Sequence, residues 1–122
     1  MIALTVKQLI ESVQSGALGR LLALDKPIKV AWTNRKLGTS ANDEIKAYDE
    51  RRMVILKQHG TLAEGAKEYT FAEGEAEKFG AAHLELIQQT VELPGEPVKL
   101  ADLGTGRLSE LDLSVLEPFL TE

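Results

Sequence analysis

Five side chains in the first half of the chain are the candidates for chemistry: Trp32, Asn34, Arg35, Tyr48 and Arg52. Three of them crowd into "AWTNRKLG", Ala31 to Gly38, inside a stretch with helical hydrophobic spacing. An indole or phenol ring can stack on a planar ligand. A guanidinium can grip a phosphate through two parallel hydrogen bonds. The amide of Asn34 offers both a donor and an acceptor to a base edge. Gly38 removes a side chain where a ligand, or another helix, comes close. Trp32 and Arg35 are three residues apart and face one side of a helix. Together these residues describe a cationic, aromatic-lined site for an anionic, nucleotide-like small molecule, and such a site needs no catalytic group. The competing reading is structural: Arg35 and Arg52 snorkel out of a buried stripe and pair with acidic residues of the second half.

The other reactive residue types do not assemble. Cysteine is absent, which excludes a disulfide, a thiol nucleophile and a thiolate metal site. His59 and His83 are far apart and lack ligand spacing, so no metal centre is expected. His83 sits on an apolar stripe and reads as a hydrogen-bonded histidine in or beside the core. His59 lies near a helix C-terminus, where its cation would suit the dipole. "LGTGRLS" is glycine-rich but has neither the lysine nor the spacing of a phosphate loop. "DERRMVILKQHG" reads as a solvated helix face, with Lys46 and Glu50 as an i,i+4 pair. The expectation is a protein without catalytic residues, cofactor or metal.

A chain of 122 residues suits a single domain, 1–122, with a modest core. Hydrophobic residues at 43% and charged residues at 27% are ordinary for a globular protein, whereas aromatics at 5% are few. "MIALTVKQLI" is interrupted by Lys7 and Gln8 too early for a signal peptide, and no apolar run is long enough for a membrane span. The net charge of −5 conceals an asymmetry. Residues 1–60 hold ten Lys/Arg against six Asp/Glu; residues 61–122 hold four against thirteen. Either the halves attract each other, or the first half offers a cationic surface to an anion. A duplex nucleic-acid binder would be more basic overall.

The elements that must position these residues follow from caps and periodicity. Thr5 with Gln8 makes a capping box for a short helix carrying Val6, Leu9, Ile10 and Val13. "ALGRLLAL" forms a second short helix. Pro27 fits the first turn of a third, which runs from Ile28 to His59 with Gly60 as its C-terminal cap, either continuous or kinked through Gly38–Asn42. Its expected buried stripe passes Ile28, Trp32, Arg35, Gly38, Ala41 or Asn42, Ile45, Tyr48, Arg52, Ile55 or Leu56, and His59. A polar loop with a short extended piece at Tyr69–Phe71 leads to a helix striped by Ala72, Ala76, Phe79, His83, Leu86, Ile87 and Thr90. This helix and the long one form an antiparallel hairpin. "VELPGEPVKLADL" is extended, and the N-terminal "MIAL" is its pairing candidate. Ser109, with Asp112 three residues on, caps a last helix. The expected fold class is therefore α+β, predominantly α: a helical hairpin, short N-terminal helices, a small β element and a C-terminal helix.

At "EIKAYDERRMVILKQHG", "VELPGEPVKLADL" and "RLSELDLSVLEPFL" the chain resembles a group of small, mostly uncharacterised proteins of tailed bacteriophages. The shared pattern is a charged helix ending in glycine, a polar turn, a second helix, a "VELP" segment and a leucine-rich last helix. The resemblance covers the chain from about Ile28 onward. It implies a viral protein of the host bacterial cytoplasm and no established activity. "AWTNRKLG" departs from the group's highly charged first helix, so no ligand contacts carry over. Two function classes follow. One is a phage accessory protein that binds an anionic small molecule, in its sharpest form a sponge for a host nucleotide immune signal. The other is a structural, assembly or regulatory adaptor acting through protein–protein contacts. Few aromatics and leucine-rich short helices leave burial incomplete in one copy, so a homodimer or larger homo-oligomer is expected.

Overall fold

The computed structural model describes residues 1–104 and 107–122. Thr105 and Gly106, the centre of the glycine-rich "LGTGRLS", lie outside the described residues. The chain opens with β1 (Ile2–Thr5), then the short helices α1 (Val6–Gln14) and α2 (Ala17–Ala23). The long helix α3 (Ile28–His59) follows without interruption through Gly38–Asn42. A tip hairpin of β2 (Gly60–Thr61) and β3 (Thr70–Phe71) returns the chain into α4 (Glu75–Ile87). Strands β4 (Thr90–Leu93) and β5 (Val98–Lys99), the helix α5 (Glu110–Val115) and β6 (Leu120–Thr121) complete it. The fold is α+β and predominantly helical, as the sequence patterns imply.

Both expected capping boxes are present. Thr5 accepts from the Gln8 N–H while the Gln8 side chain accepts from Thr5 N–H. Ser109 and Asp112 make the same reciprocal pair at α5. Asp112 also receives two bonds from the Arg20 guanidinium, which ties α5 to α2 across 92 residues of sequence. That guanidinium holds the Asp112 carboxyl below its usual range. Lys26 closes the end of α2 by donating to the carbonyls of Leu21, Leu22 and Leu24.

Two zones differ in construction. The body gathers β1, α1, α2, the first half of α3, β4 and the C-terminal segment. In β1 the alternation buries Ile2 and Leu4 and exposes Ala3, and antiparallel pairing sets Ile2 opposite Leu93. These side chains meet Leu9, Leu18, Leu21, Leu37, Leu116 and Phe119 in one apolar core. Beyond Ile45, which still packs against that core, α3 leaves the body and forms an arm with α4, joined at its tip by β2 and β3. The arm's deeply buried apolar residues are Leu56 and Leu86.

Several expectations need correction. "MIAL" pairs only with the part of the extended segment before Pro94; Val98 and Lys99 instead pair, in parallel, with Leu120 and Thr121. The helix α4 is shorter than its apolar stripe, since Ala72 precedes it and Thr90 belongs to β4. Gly60 ends α3 in an extended rather than left-handed conformation, because the chain turns straight into a strand. The buried stripe of α3 also changes phase. From Gly38 onward it follows the expected positions, but before it the buried residues are Asn34 and Leu37. Ile28 is 86% exposed and Trp32 61% exposed, and Arg35 points to solvent. A 3.6-residue period permits a backward step of either three or four from Gly38. The step of three leads to Arg35; the helix takes the step of four, to Asn34, on the side where Pro97 and Val98 stand across from it.

Candidate functional site

The first two turns of α3 and the segment 95–102 enclose a cleft of about 300 Å³. Its walls are Lys29, Val30, Thr33 and Asn34 from the helix, and Pro97, Val98, Lys99 and Asp102 from the other side. Gly95 makes the turn into the second wall at a φ of +94°, in the region that side chains rarely adopt. Three local features hold this wall. The β5–β6 pairing fixes Val98 and Lys99. The N-terminal ammonium pairs with Glu96 at 3.0 Å. The Gly104 N–H donates to the Asp25 carbonyl at 2.6 Å.

Asn34 lies on the cleft's helical wall and is 5% exposed. Its Nδ2 is shielded from solvent and has no hydrogen-bond partner among the described residues. A buried donor left unpaired costs roughly 1–3 kcal/mol. The terminal torsion of asparagine is soft, so the amide can turn either end toward the cleft. Four charged side chains line the cleft around it, two of each sign. Lys29 and Lys99 contribute two ammonium groups and Glu96 and Asp102 two carboxylates, with Glu96 in an exposed ion pair with the N-terminal ammonium. Among the described residues no side chain hydrogen-bonds to cap α3, and its first turn holds no acidic residue, so the positive end of the helix dipole lies beside Lys29, with Asp25 two residues before the Pro27 cap. Asp102 supplies an acceptor for a ligand hydroxyl or amine.

On the other side of the Pro94–Gly95 turn lies a second depression, about 430 Å³, lined by Arg35, Lys36, Thr39, Ser40 and Pro94. Apart from Pro94, its side chains are cationic or hydroxylic. The Arg35 guanidinium carbon sits 4.3 Å from the Trp32 ring centroid, a cation–π contact on the exposed face of the helix.

The five residues singled out by sequence are therefore brought together only in part. Asn34 enters the cleft, Arg35 the adjoining depression, and Trp32 stacks on Arg35 outside both. Tyr48 and Arg52 belong to the arm, about 21 Å and more along the helix from Asn34 at 1.5 Å per residue. There the Tyr48 hydroxyl and His83 Nε2 share a 2.8 Å hydrogen bond. Burial pushes the Tyr48 phenol up, while the nearby charge of Arg52 opposes the shift. His83 is thus the hydrogen-bonded histidine expected from its stripe. Phe79 stacks on it at 5.8 Å between centroids, and Phe71 follows at 5.5 Å. His59 Nδ1 meets Glu75 at 2.9 Å. Gly38 serves packing: a Cβ there would sit 3.1 Å from Leu22 of α2.

Sequence reasoning missed Lys29, Lys99 and Asp102. Lys29 was visible as a basic residue in a first helical turn. Lys99 and Asp102 were not, because their approach to α3 depends on the parallel β5–β6 pairing. Among the described residues no group of acids and histidines could hold a metal ion, and no helix is long and apolar enough to cross a membrane. No family model, curated protein or solved structure matches the chain.

Proposed function

We propose that the protein is a non-enzymatic binder of an anionic, nucleotide-like small molecule, held between the start of α3 and the segment 95–102. The observation that carries this reading is the unpaired, buried Nδ2 of Asn34 on the wall of a cleft lined by Lys29 and Lys99. A ligand oxygen at that wall removes a desolvation cost that the free protein bears. The cleft volume lies at the lower end of the range for small-molecule sites, roughly 300–1,000 Å³. Arg35 and Lys36, just past Pro94, would take a second anionic group. With the phage resemblance, the specific form of this reading is a sponge that sequesters a host nucleotide immune signal in the bacterial cytoplasm.

The test is a thermal-shift screen against cyclic dinucleotides, cyclic trinucleotides and ADP-ribose derivatives. A ligand at 100 times its dissociation constant adds about 2.7 kcal/mol to native stability. The shift should vanish in a Lys29→Glu/Lys99→Glu variant and shrink in Arg35→Ala. A melting temperature unmoved by every member of the panel would count against the reading.

The exposed Trp32–Arg35 pair favours a second reading, an adaptor that docks a partner on this face of α3. Tryptophan and arginine dominate interface hot spots. Here they stand beside exposed Ile28, on a stretch from Lys26 to Asn42 that holds four cations and no acid. This reading gains if the ligand screen is negative and Trp32 fluorescence responds to a protein partner.

A further inference from the structure

The arm carries a groove that the cleft does not explain. It runs between α3 and α4 over about 360 Å³, with Val54 and Ile55 on one side, Ala82 and Leu86 on the other, and Arg51 and Glu85 at its edges. Val54 is 65% exposed. Among the described residues, neither Arg51 nor Glu85 makes an ion pair. A two-helix arm buries one seam and leaves both flanks uncovered.

We propose that a second copy of this chain covers the groove, the two arms packing as an antiparallel four-helix bundle with two-fold symmetry. The face is complementary to itself. A two-fold interface pairs residue i with j and j with i, so a face that fits itself needs its opposite charges on different elements around an apolar centre. This face has that pattern: the cation on α3, the anion on α4, valine and alanine between. The levels also agree. The Tyr48–His83 bond sets the two helices side by side. Arg51 stands three residues past Tyr48, and Glu85 two residues past His83 in the opposite direction. With α3 of one copy over α4 of the other, Arg51 and the partner's Glu85 differ by about 7.5 Å along the axis. That offset is within the reach of an arginine side chain. The pair forms twice, and the exposed Val54 is covered twice. The occupant would add the third and fourth helices that a bundle needs around an apolar seam.

Light scattering on the full chain across a concentration series tests this. The expected result is a concentration-dependent approach to twice the 13.3 kDa chain mass, with dimer at roughly 100 µM. Val54→Glu should leave a folded monomer. Arg51→Glu and Glu85→Arg should each weaken the dimer by about tenfold or more, and the double swap should restore it. All three positions border solvent, and circular dichroism checks that each variant folds. Three results would overturn the proposal: a wild-type monomer throughout, a dimer indifferent to Val54→Glu, or a double swap as weak as the single ones.

Discussion

Body and arm share one helix and are held together by different means. In the body, α3 presents Leu37 and Ala41 to a core of aliphatic side chains with Phe119 at its centre. In the arm, the same helix presents Tyr48 and His59 to His83 and Glu75. Of the six aromatic side chains, four lie in the arm: Tyr48, Tyr69, Phe71 and Phe79. Layers on several sides let the body bury leucines completely. Two helices cannot do that, so the arm relies on rings whose faces stack and whose polar tips pair. The lesson is that a low aromatic content says little until the aromatics are placed. Here they are concentrated where apolar depth is missing.

The comparison is testable by breaking each zone in turn. Phe119 is fully buried in the body. Phe119→Ala should cost about 3–5 kcal/mol in chemical denaturation, as a large core cavity does. Leu86→Ala, in the arm, should cost nearer 2 kcal/mol, because the thin arm can collapse into the gap. Equal losses at the two sites would erase the distinction.

Removing one hydroxyl is a finer probe. Tyr48→Phe deletes the bond to His83 and should cost about 0.5–1.5 kcal/mol. Hydrogen exchange should show faster opening in α3 beyond Ile45 and in α4, with the body unchanged. A loss of protection spread evenly over β1 and α1 would mean that the arm and body unfold as one.

The smallest effect is a pH dependence. Hydrogen bonds from His59, and then Lys78, hold the Glu75 carboxyl below its ordinary value of 4.5. A lowered carboxyl stabilises the folded state above its unfolded pKa and loses that contribution as pH falls through the folded value. Arm stability should therefore decline on acidification below about pH 4.5. Glu75→Gln should flatten that limb for the arm and leave unchanged the separate acid sensitivity of Asp112 in the body. An acid limb that persists in Glu75→Gln would reassign it.

Local signals in the sequence were readable because their physics is local. Thr5 with Gln8, and Ser109 with Asp112, name their own partners three residues away. The uninterrupted run of α3 was readable for the same reason. Its phase before Gly38 was not. Trp32 looked like the more natural core residue, but Asn34 faces inward instead, toward a segment about sixty residues on that no local pattern announces. The cleft was half legible. Asn34 stood out by residue type, but Lys99 and Asp102 join it in the cleft through a strand pairing between residues more than twenty apart. No periodicity encodes that pairing.

The central claim is that Asn34 is kept at a cost to stability because a ligand uses it. Asn34→Leu replaces the amide and its unpaired Nδ2 with an apolar side chain of similar shape. Melting curves of wild type and variant, each with and without a ligand that stabilises wild type, measure both halves of the claim. The account predicts a free variant more stable by roughly 1–3 kcal/mol, since an unsatisfied buried group is gone. It also predicts that the ligand no longer raises the variant's melting temperature. A variant that melts below wild type, or one that still responds fully to the ligand, would contradict it.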